Sequence, residues 1–330
     1  MQSYIQRHVN APLLRKVVSR RTYHSVFIHT GIADNDNDAM DYVKGWAYQQ
    51  SFLHRRLQVQ RLINSGEEND SFQTWDQDKI LFLEHSPVYT LGRGADEEYL
   101  TFLDDVDDGE IIRNRLSRRN RGPDSCRLDS SSLLKHLAPL KFDGKSDISV
   151  DDEVDIICTK APRPVMAPND VPIYRIDRGG EVTYHGQQQL VVYPLLDLRR
   201  EPYQQDLHWY LRSIEEVIIQ TLAEYGIEGH RDSINTGVWV GPNKIAAVGI
   251  SSARWITTHG FALNVNPNLD MFDTSVIIPC GIEGRGVTSI SNEIGIGQTV
   301  NLLDVSTVVI EKMRHVFGAD DFVNSTKLNL

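Results

Sequence analysis

The sequence predicts an α+β fold, a mixed β-sheet flanked by helices. Three observations predict it. Short apolar runs bounded by turn residues recur along the chain. Helical spacing is clear in only a few stretches. The strands therefore outnumber the helices available for right-handed crossovers, which argues against a parallel, doubly wound sheet.

The elements follow in chain order. Val43, Trp46, Ala47 and Leu53 recur at helical spacing within 40–63. KILFLEH (79–85) is an apolar run ahead of Ser86-Pro87 and reads as a buried strand. IYRI (173–176) and QLVVYPLL (189–196) read likewise. Residues 205–225 put Leu207, Tyr210, Leu211, Ile214, Val217, Ile218 and Thr221 on one face, with Gly226 where a helix stops. GVWV (237–240), the turn GPN and KIAAVGIS (244–251) form a hairpin. RWITTHGFALNV (254–265) gives the next strand, and 304–317 a last helix ending before Gly318.

Length alone, 330 residues, suggests about two domains, but composition divides the chain differently. Residues 1–32 hold five basic side chains and no acid, with serines and only short apolar patches. That is the pattern of a mitochondrial transit peptide. Residues 95–170 carry eight acids within 96–110, five arginines within 113–121, a Pro-rich stretch and Asp151-Asp152-Glu153. Blocks of like charge repel, so this segment reads as a charged, flexible, mostly solvated insertion. The remainder, roughly 220 residues, suffices for a single domain over 33–330. No internal repeat is present.

Net charge is −11, which argues against a surface devoted to nucleic acid. Cys126, Cys158 and Cys280 are too few and scattered for a disulfide framework, and no C-x-x-C pair offers a zinc site. No apolar run approaches the roughly 18 residues of a membrane span.

Three segments can carry chemistry. RGGEVTYHGQQQL (178–190) has a glycine pair that lets backbone approach a ligand, Arg178 for an anion or carbonyl, and Tyr184 and His185 as an aromatic wall and a titratable donor. It also reads as a plain turn between strands, and it fits neither glycine-rich nucleotide pattern. IIPCGIEGRGVTSI (277–290) sets Cys280 between a stiffening proline and a glycine, a setting suited to a nucleophile, although most cysteines are small buried hydrophobes. NKIAAVGISSARWITTHGFALN (243–264) begins with Lys244, a surface ammonium unless it stands beside a thiol, where it favours the thiolate. Spacing alone does not pair Lys244 with Cys280.

Taken together, FLEHSPVYTLGRG (82–94), RGGEVTYHG (178–186), QLVVYPLLDL (189–198), KIAAVGIS (244–251), THGFALNV (258–265) and PCGIEGRGVTSI (279–290) resemble, in order, the lipoyl(octanoyl) transferase family. The resemblance implies a fold like that of lipoate and biotin protein ligases, and transfer of an octanoyl group from acyl carrier protein to a lipoyl-domain lysine. It implies Cys280 as the acyl-thioester nucleophile and Lys244 as the lysine that lowers its pKa and shuttles the proton. Substrate-binding positions fall on Arg178, Gly179, Gly180, Glu181, Val182, Thr183, Tyr184, His185, Ala247, Val248, Gly249, Gly260, Phe261 and Ala262. It implies no cofactor, no metal, no nucleic acid and no membrane. The implied acceptors are the lipoyl domains of 2-oxoacid dehydrogenase E2 subunits and the glycine cleavage H protein, in the mitochondrial matrix.

One departure stands out. After Tyr-His-Gly the family reads Pro-Gly-Gln, and this chain reads Gln187-Gln188-Gln189, which would reshape a turn at the acyl pocket. Two alternatives follow: a catalytically weakened binding protein for acyl carriers or lipoyl domains, and an ATP-dependent lipoate or biotin ligase. His259 and His185 are candidate pocket donors. Arg175, Arg178, Arg199, Arg200 and Arg254 form the pool for a basic patch facing an acidic carrier.

Overall fold

A computed structural model describes residues 26–29, 39–67, 72, 75–130, 133, 137, 149–278, 285–295, 300–318 and 323–327. Cys280 lies outside the described residues, as does most of 1–32.

The chain begins with β1 (Val26–His29), α1 (Tyr42–Asn64), β2 (Lys79–Leu83) and β3 (Val88–Leu91). It continues through α2 (Gly109–Leu116), β4 (Arg127–Leu128), α3 (Val150–Lys160) and β5 (Val165–Met166). Then come β6 (Pro172–Ile176), β7 (Val182–His185), β8 (Gln189–Leu195) and α4 (Leu207–Glu224). The last part holds β9 (His230–Arg231), β10 (Val238–Val240), β11 (Asn243–Ala253), β12 (Ile256–Asn264), α5 (Ile290–Ile294), α6 (Leu302–Phe317) and β13 (Val323–Lys327).

Among the described residues the strands form two sheets. The larger runs β13-β1-β2-β8-β12-β11-β10-β9, and the smaller runs β4-β6-β3-β7 with β5 on β6. Both are mixed: β1 lies parallel to β2, while β2 and β8 are antiparallel, and β3 is parallel to β6 but antiparallel to β7. The mixed sheet with flanking helices is the one the sequence predicts.

Side-chain alternation explains why the central strands are apolar throughout. Ile80, Phe82, Leu190 and Val192 point to a core closed by α4 and α6. Leu81, Leu83, Val191 and Tyr193 point the other way, to a core shared with α1, α3 and the smaller sheet. A strand buried on both faces has no polar face to show. Caps set the helix starts. Asp41 accepts the N–H groups of Val43 and Lys44, Asp206 those of His208 and Trp209, and Asn301 those of Leu303 and Asp304.

The segment 95–170, expected as a flexible and mostly solvated insertion, keeps many charged side chains exposed but also buries apolar ones where it is described. Phe102, Leu103, Ile112 and Leu116 are buried in a third core against the outer face of the smaller sheet. Its opposite charge blocks also fold onto each other: Arg118 pairs with Asp96 and Arg113 with Asp104. The cluster at 151–153 divides into three tasks. Asp151 accepts the Tyr48 hydroxyl, Asp152 completes a capping box with Ser149, and Glu153 is buried against Arg55 and Ser51. The reasoning from like charge overlooked these partners in sequence-distant elements.

The expected leader over 1–32 also overlaps the fold, since residues 26–29 form β1 beside β2.

Candidate active site

The site lies where the two sheets meet. β11 and β12 pair Ala247 with Ala262 and Gly249 with Gly260, so the two strands present small residues opposite each other. A Cβ on Gly249 would stand 2.8 Å from the Gly179 carbonyl oxygen. The 178–181 loop can approach this strand only because that position is bare. Gly180 turns the loop at φ +84°. Arg178, nearly buried, ties it down: its guanidinium donates to the carbonyls of Thr90, Gly179 and Glu181 and to the Thr90 hydroxyl. Arg178 therefore positions the loop with donors that the sequence reading offered to substrate.

Two cavities share the walls Arg178, Thr183, Ala247 and Val248. The inner one, of about 30 Å³, is closed by Tyr42, His185, Tyr193, Gly249, His259, Gly260, Phe261 and Ala262. The outer one, of about 160 Å³, adds Gly180, Glu181, Val182, Ile234, Asn235, Thr236 and Lys244. Of the residues the resemblance singled out, all but three line one or both. Tyr184 faces the opposite side of β7, edge-on to Phe272 and against Tyr89, because successive strand residues alternate faces. Gly179 is engaged through backbone, its N–H donating to Ile250 O at 2.9 Å. Cys280 lies outside the described residues.

Lys244 is the second residue of β11 and is 7 % exposed. Its ammonium sits 4.8 Å from the centre of the Trp239 ring, and it lowers the pKa of Glu181, which burial raises more strongly. Its N–H donates to Gly286 O, and its carbonyl accepts from Thr288 N, both at 3.0 Å. On the other flank of 279–284, Ile278 N–H donates to Tyr99 O at 2.8 Å. The described neighbours of Cys280 on both sides are thus anchored, one of them directly on Lys244.

Beside Arg178, the inner cavity is lined by polar groups that hydrogen-bond to one another or to their neighbours. Burial holds His185 well below its ordinary pKa, and its Nδ1 lies 2.8 Å from the Gln189 side-chain oxygen Oε1. Gln189 donates to Asn264 Oδ1, and Asn264 donates to Thr288 O. This relay joins the cavity to Thr288, whose N–H donates to the Lys244 carbonyl. His85 lies behind, pulled by burial to about 4, between Met40 O and the Tyr193 hydroxyl. His259, at φ +58°, approaches Asp177 Oδ1 at 3.3 Å, and Ser130 donates to the other oxygen of that carboxylate.

Sequence reasoning missed Tyr42, Tyr193 and Asp177. The one signal was a lone tyrosine in the apolar run QLVVYPLL; Tyr42 reaches the cavity only because α1 packs across the sheets.

The basic pool proves mostly committed. Arg175 is fully buried, bonded to carbonyls of Gly92, Ala95 and Leu116 and paired with Glu97. Arg199 and Arg200 hold Asp197 and Asp76. Gln188 also differs from expectation. It keeps a left-handed turn at φ +62°, its N–H on Glu84 Oε1 and its carbonyl accepting from Val265 and Asn266. The turn is closed despite losing Pro-Gly.

Comparison with known proteins gives one consistent result. Residues 161–314 match the lipoyl protein ligase A/B catalytic domain. The octanoyltransferase of Gloeobacter violaceus is 34 % identical over 277 residues, covering 84 % of this chain and 86 % of that one. That of Flavobacterium johnsoniae is 35 % identical, covering 85 % and 94 %. A crystal structure of lipoate-protein ligase A bound with ATP superposes with a TM-score of 0.51 at 13 % identity, over 93 % of this chain and 90 % of the other. A bipartite lipoate protein ligase from Thermoplasma acidophilum gives 0.50 at 13 % identity, over 92 % and 88 %. At such identity the two structures attest the shared fold, and the sequence relatives fix the family: the chain belongs to the octanoyltransferases and is an acyltransferase.

Proposed function

We propose that the protein transfers an octanoyl group from acyl carrier protein to the acceptor lysine of lipoyl domains through a thioester on Cys280. The observation that carries this reading is Lys244. It lines the outer of two adjoining cavities and is bonded through its backbone to Gly286 and Thr288, a few residues after Cys280.

In this mechanism the Lys244 ammonium favours the Cys280 thiolate. The thiolate attacks the octanoyl thioester, and the carrier's thiol leaves with a proton. One thioester replaces another, so the step is near balance and needs no ATP. The acceptor amine then attacks the acyl-enzyme, forms an amide and returns the thiol, giving ping-pong kinetics. The octanoyl chain extends from Lys244 toward Tyr42 and Tyr193, where each buried methylene contributes about 0.8 kcal/mol. The 30 Å³ of the inner cavity holds little more than one water, so its walls must part to admit the chain. The acceptors are lipoyl domains of 2-oxoacid dehydrogenases and the glycine cleavage H protein.

Intact-mass measurement after mixing with octanoyl carrier tests the reading. The wild type should gain one octanoyl group and pass it to a lipoyl domain, and Cys280→Ser should gain none. Lys244→Ala should cut the rate at least a hundredfold and raise the pH at which Cys280 is alkylated. Normal transfer by Cys280→Ser removes the nucleophile. Transfer only from free octanoate with Mg-ATP indicates a ligase.

Residues 1–25 hold all five basic side chains of the acid-free start. We propose that they direct the protein to the mitochondrial matrix, with removal ahead of β1. A fluorescent protein fused to 1–25 that stays outside mitochondria refutes this.

A further inference from the structure

The arginine run 113–121 takes no part in the chemistry above. We propose that the cleft beside it is the docking surface for the acidic body of the donor carrier protein, an assignment that rests on the transferase reading.

The cleft has a volume of about 960 Å³. Among the described residues its walls come from 111–129, from the end of α3 and from 161–164. They include the basic side chains Arg115, Arg121, Arg127, Lys160 and Arg163 against two acids, Asp124 and Asp129. That excess of positive charge stands on a chain of net charge −11. Part of it is answered internally: Arg121 pairs with Asp129 at 3.3 Å, and Arg115 donates to carbonyls of Asp124, Arg163 and Pro164. Lys160 and Arg163 are exposed.

Among the described residues two donors at the cleft have no acceptor, the Arg127 Nε–H and the indole N–H of Trp46. Trp46 is 2 % exposed. A buried donor left unpaired costs about 1–3 kcal/mol, so the floor of the cleft is less fully satisfied than the pocket between the sheets. Ile111, 65 % exposed on the same wall, offers an apolar contact. Basic side chains around an apolar anchor complement a helix that carries carboxylates with apolar residues between them.

The position of the cleft favours the donor over the acceptor. Arg118 binds Asp96 with its guanidinium and Glu97 with its N–H. One turn on, Tyr99 bonds to Glu181, which faces Lys244. The 96–99 turn thus links the arginine run to the wall of the Lys244 cavity, and the cleft shares no lining residue with that cavity. A carrier protein holds its acyl thioester on a long flexible prosthetic arm, so its body can dock outside the cavity while the thioester reaches the site. An acceptor lysine has only its own side chain, and its domain must seat at the cavity mouth.

The test compares wild type with Lys160→Glu/Arg163→Glu, using octanoyl carrier or octanoyl-pantetheine as donor. The variant should raise the KM for octanoyl carrier at least tenfold and flatten its salt dependence. The KM values for octanoyl-pantetheine and for the lipoyl domain should not change. Lys160→Gln/Arg163→Gln should move the carrier KM the same way by less. Wild-type transfer combined with an unchanged carrier KM in both variants removes the docking surface and leaves the transferase reading intact. A rise in lipoyl-domain KM instead gives the cleft to the acceptor and overturns the assignment, as does an equal loss with both donors. A wild type that neither binds nor uses octanoyl carrier overturns both readings.

Discussion

The inter-sheet pocket and the charged segment at 95–130 are built by opposite means. The pocket's strands are apolar on both faces, and behind Arg178 its polar groups, such as His185, Gln189 and Asn264, are bonded to one another. The charged segment is held by a few apolar side chains beneath a surface of paired ions. Exposed ion pairs of that kind contribute at most about 1 kcal/mol each. Phe102, Leu103, Ile112 and Leu116 must therefore supply most of the adhesion. The difference teaches that charge density along a chain does not decide whether a segment folds; the spacing of its apolar residues does.

Arg175 joins the two regions and gives the sharpest way to separate them. It stands on β6 and binds carbonyls at Gly92, Ala95 and Leu116, with Glu97 as its ionic partner. Burial pulls its pKa down to about 10, so it remains charged at neutral pH. Removing one member of a buried charged network costs about 3–5 kcal/mol. Arg175→Met should lower unfolding free energy in denaturant by that amount. Trypsin should then cut first within 113–121, before any site in the central strands. Uniform proteolysis would mean that the segment and the sheets are one cooperative unit.

This contrast also sets what was legible in the sequence. β2, β8, β11, β12 and α4 could be read because burial on both faces, or on one helical face, leaves a local pattern. Lys244 and the 247–249 and 260–262 positions could be read from resemblance, since they lie in ordered motifs. Tyr42 could not, because its role depends on α1 crossing to β8. The partners of Asp151 and Glu153 were illegible for the same reason: Tyr48 and Arg55 are about a hundred residues away. Tyr184 was misplaced because a motif names residues without saying which face of the strand they take.

Acid should disturb the region of the pocket first. His85 is neutral in the fold, with a pKa near 4, and an unfolded histidine titrates near 6.5. Its contribution is therefore complete above pH 6.5 and is lost as pH falls toward 4, about 3 kcal/mol in all. Asp96 behaves differently: burial raises its pKa, but the Glu98 N–H and Arg118 outweigh this and hold it low, so its ion pair persists through that range. Unfolding free energy measured from pH 7 to pH 4.5 should fall less steeply in His85→Gln than in wild type. Equal slopes would remove His85 from the acid response. His185, also depressed by burial, should keep a residual slope in the variant.

The smallest effect is expected at Gln188, where the pocket keeps a strained turn. A left-handed residue other than glycine costs about 1–2 kcal/mol, offset in part by the roughly 0.5–1 kcal/mol that glycine loses in chain entropy. Gln188→Gly should therefore stabilise the protein by at most about 1 kcal/mol, read as a small rise in Tm. Gln188 uses only its backbone in its N–H bond to the Glu84 carboxylate and its carbonyl bonds from Val265 and Asn266, so the substitution leaves them in place. The octanoyl transfer rate should then change less than twofold. A large activation by Gln187→Pro/Gln188→Gly would show instead that the Gln-Gln pair restrains the pocket. The chain would then resemble a weakened enzyme that binds acyl carriers more than it turns them over. If Gln188→Gly lowers Tm, the turn is not where the strain is stored, and the Gln188 side chain must be contributing contacts that outweigh its backbone cost.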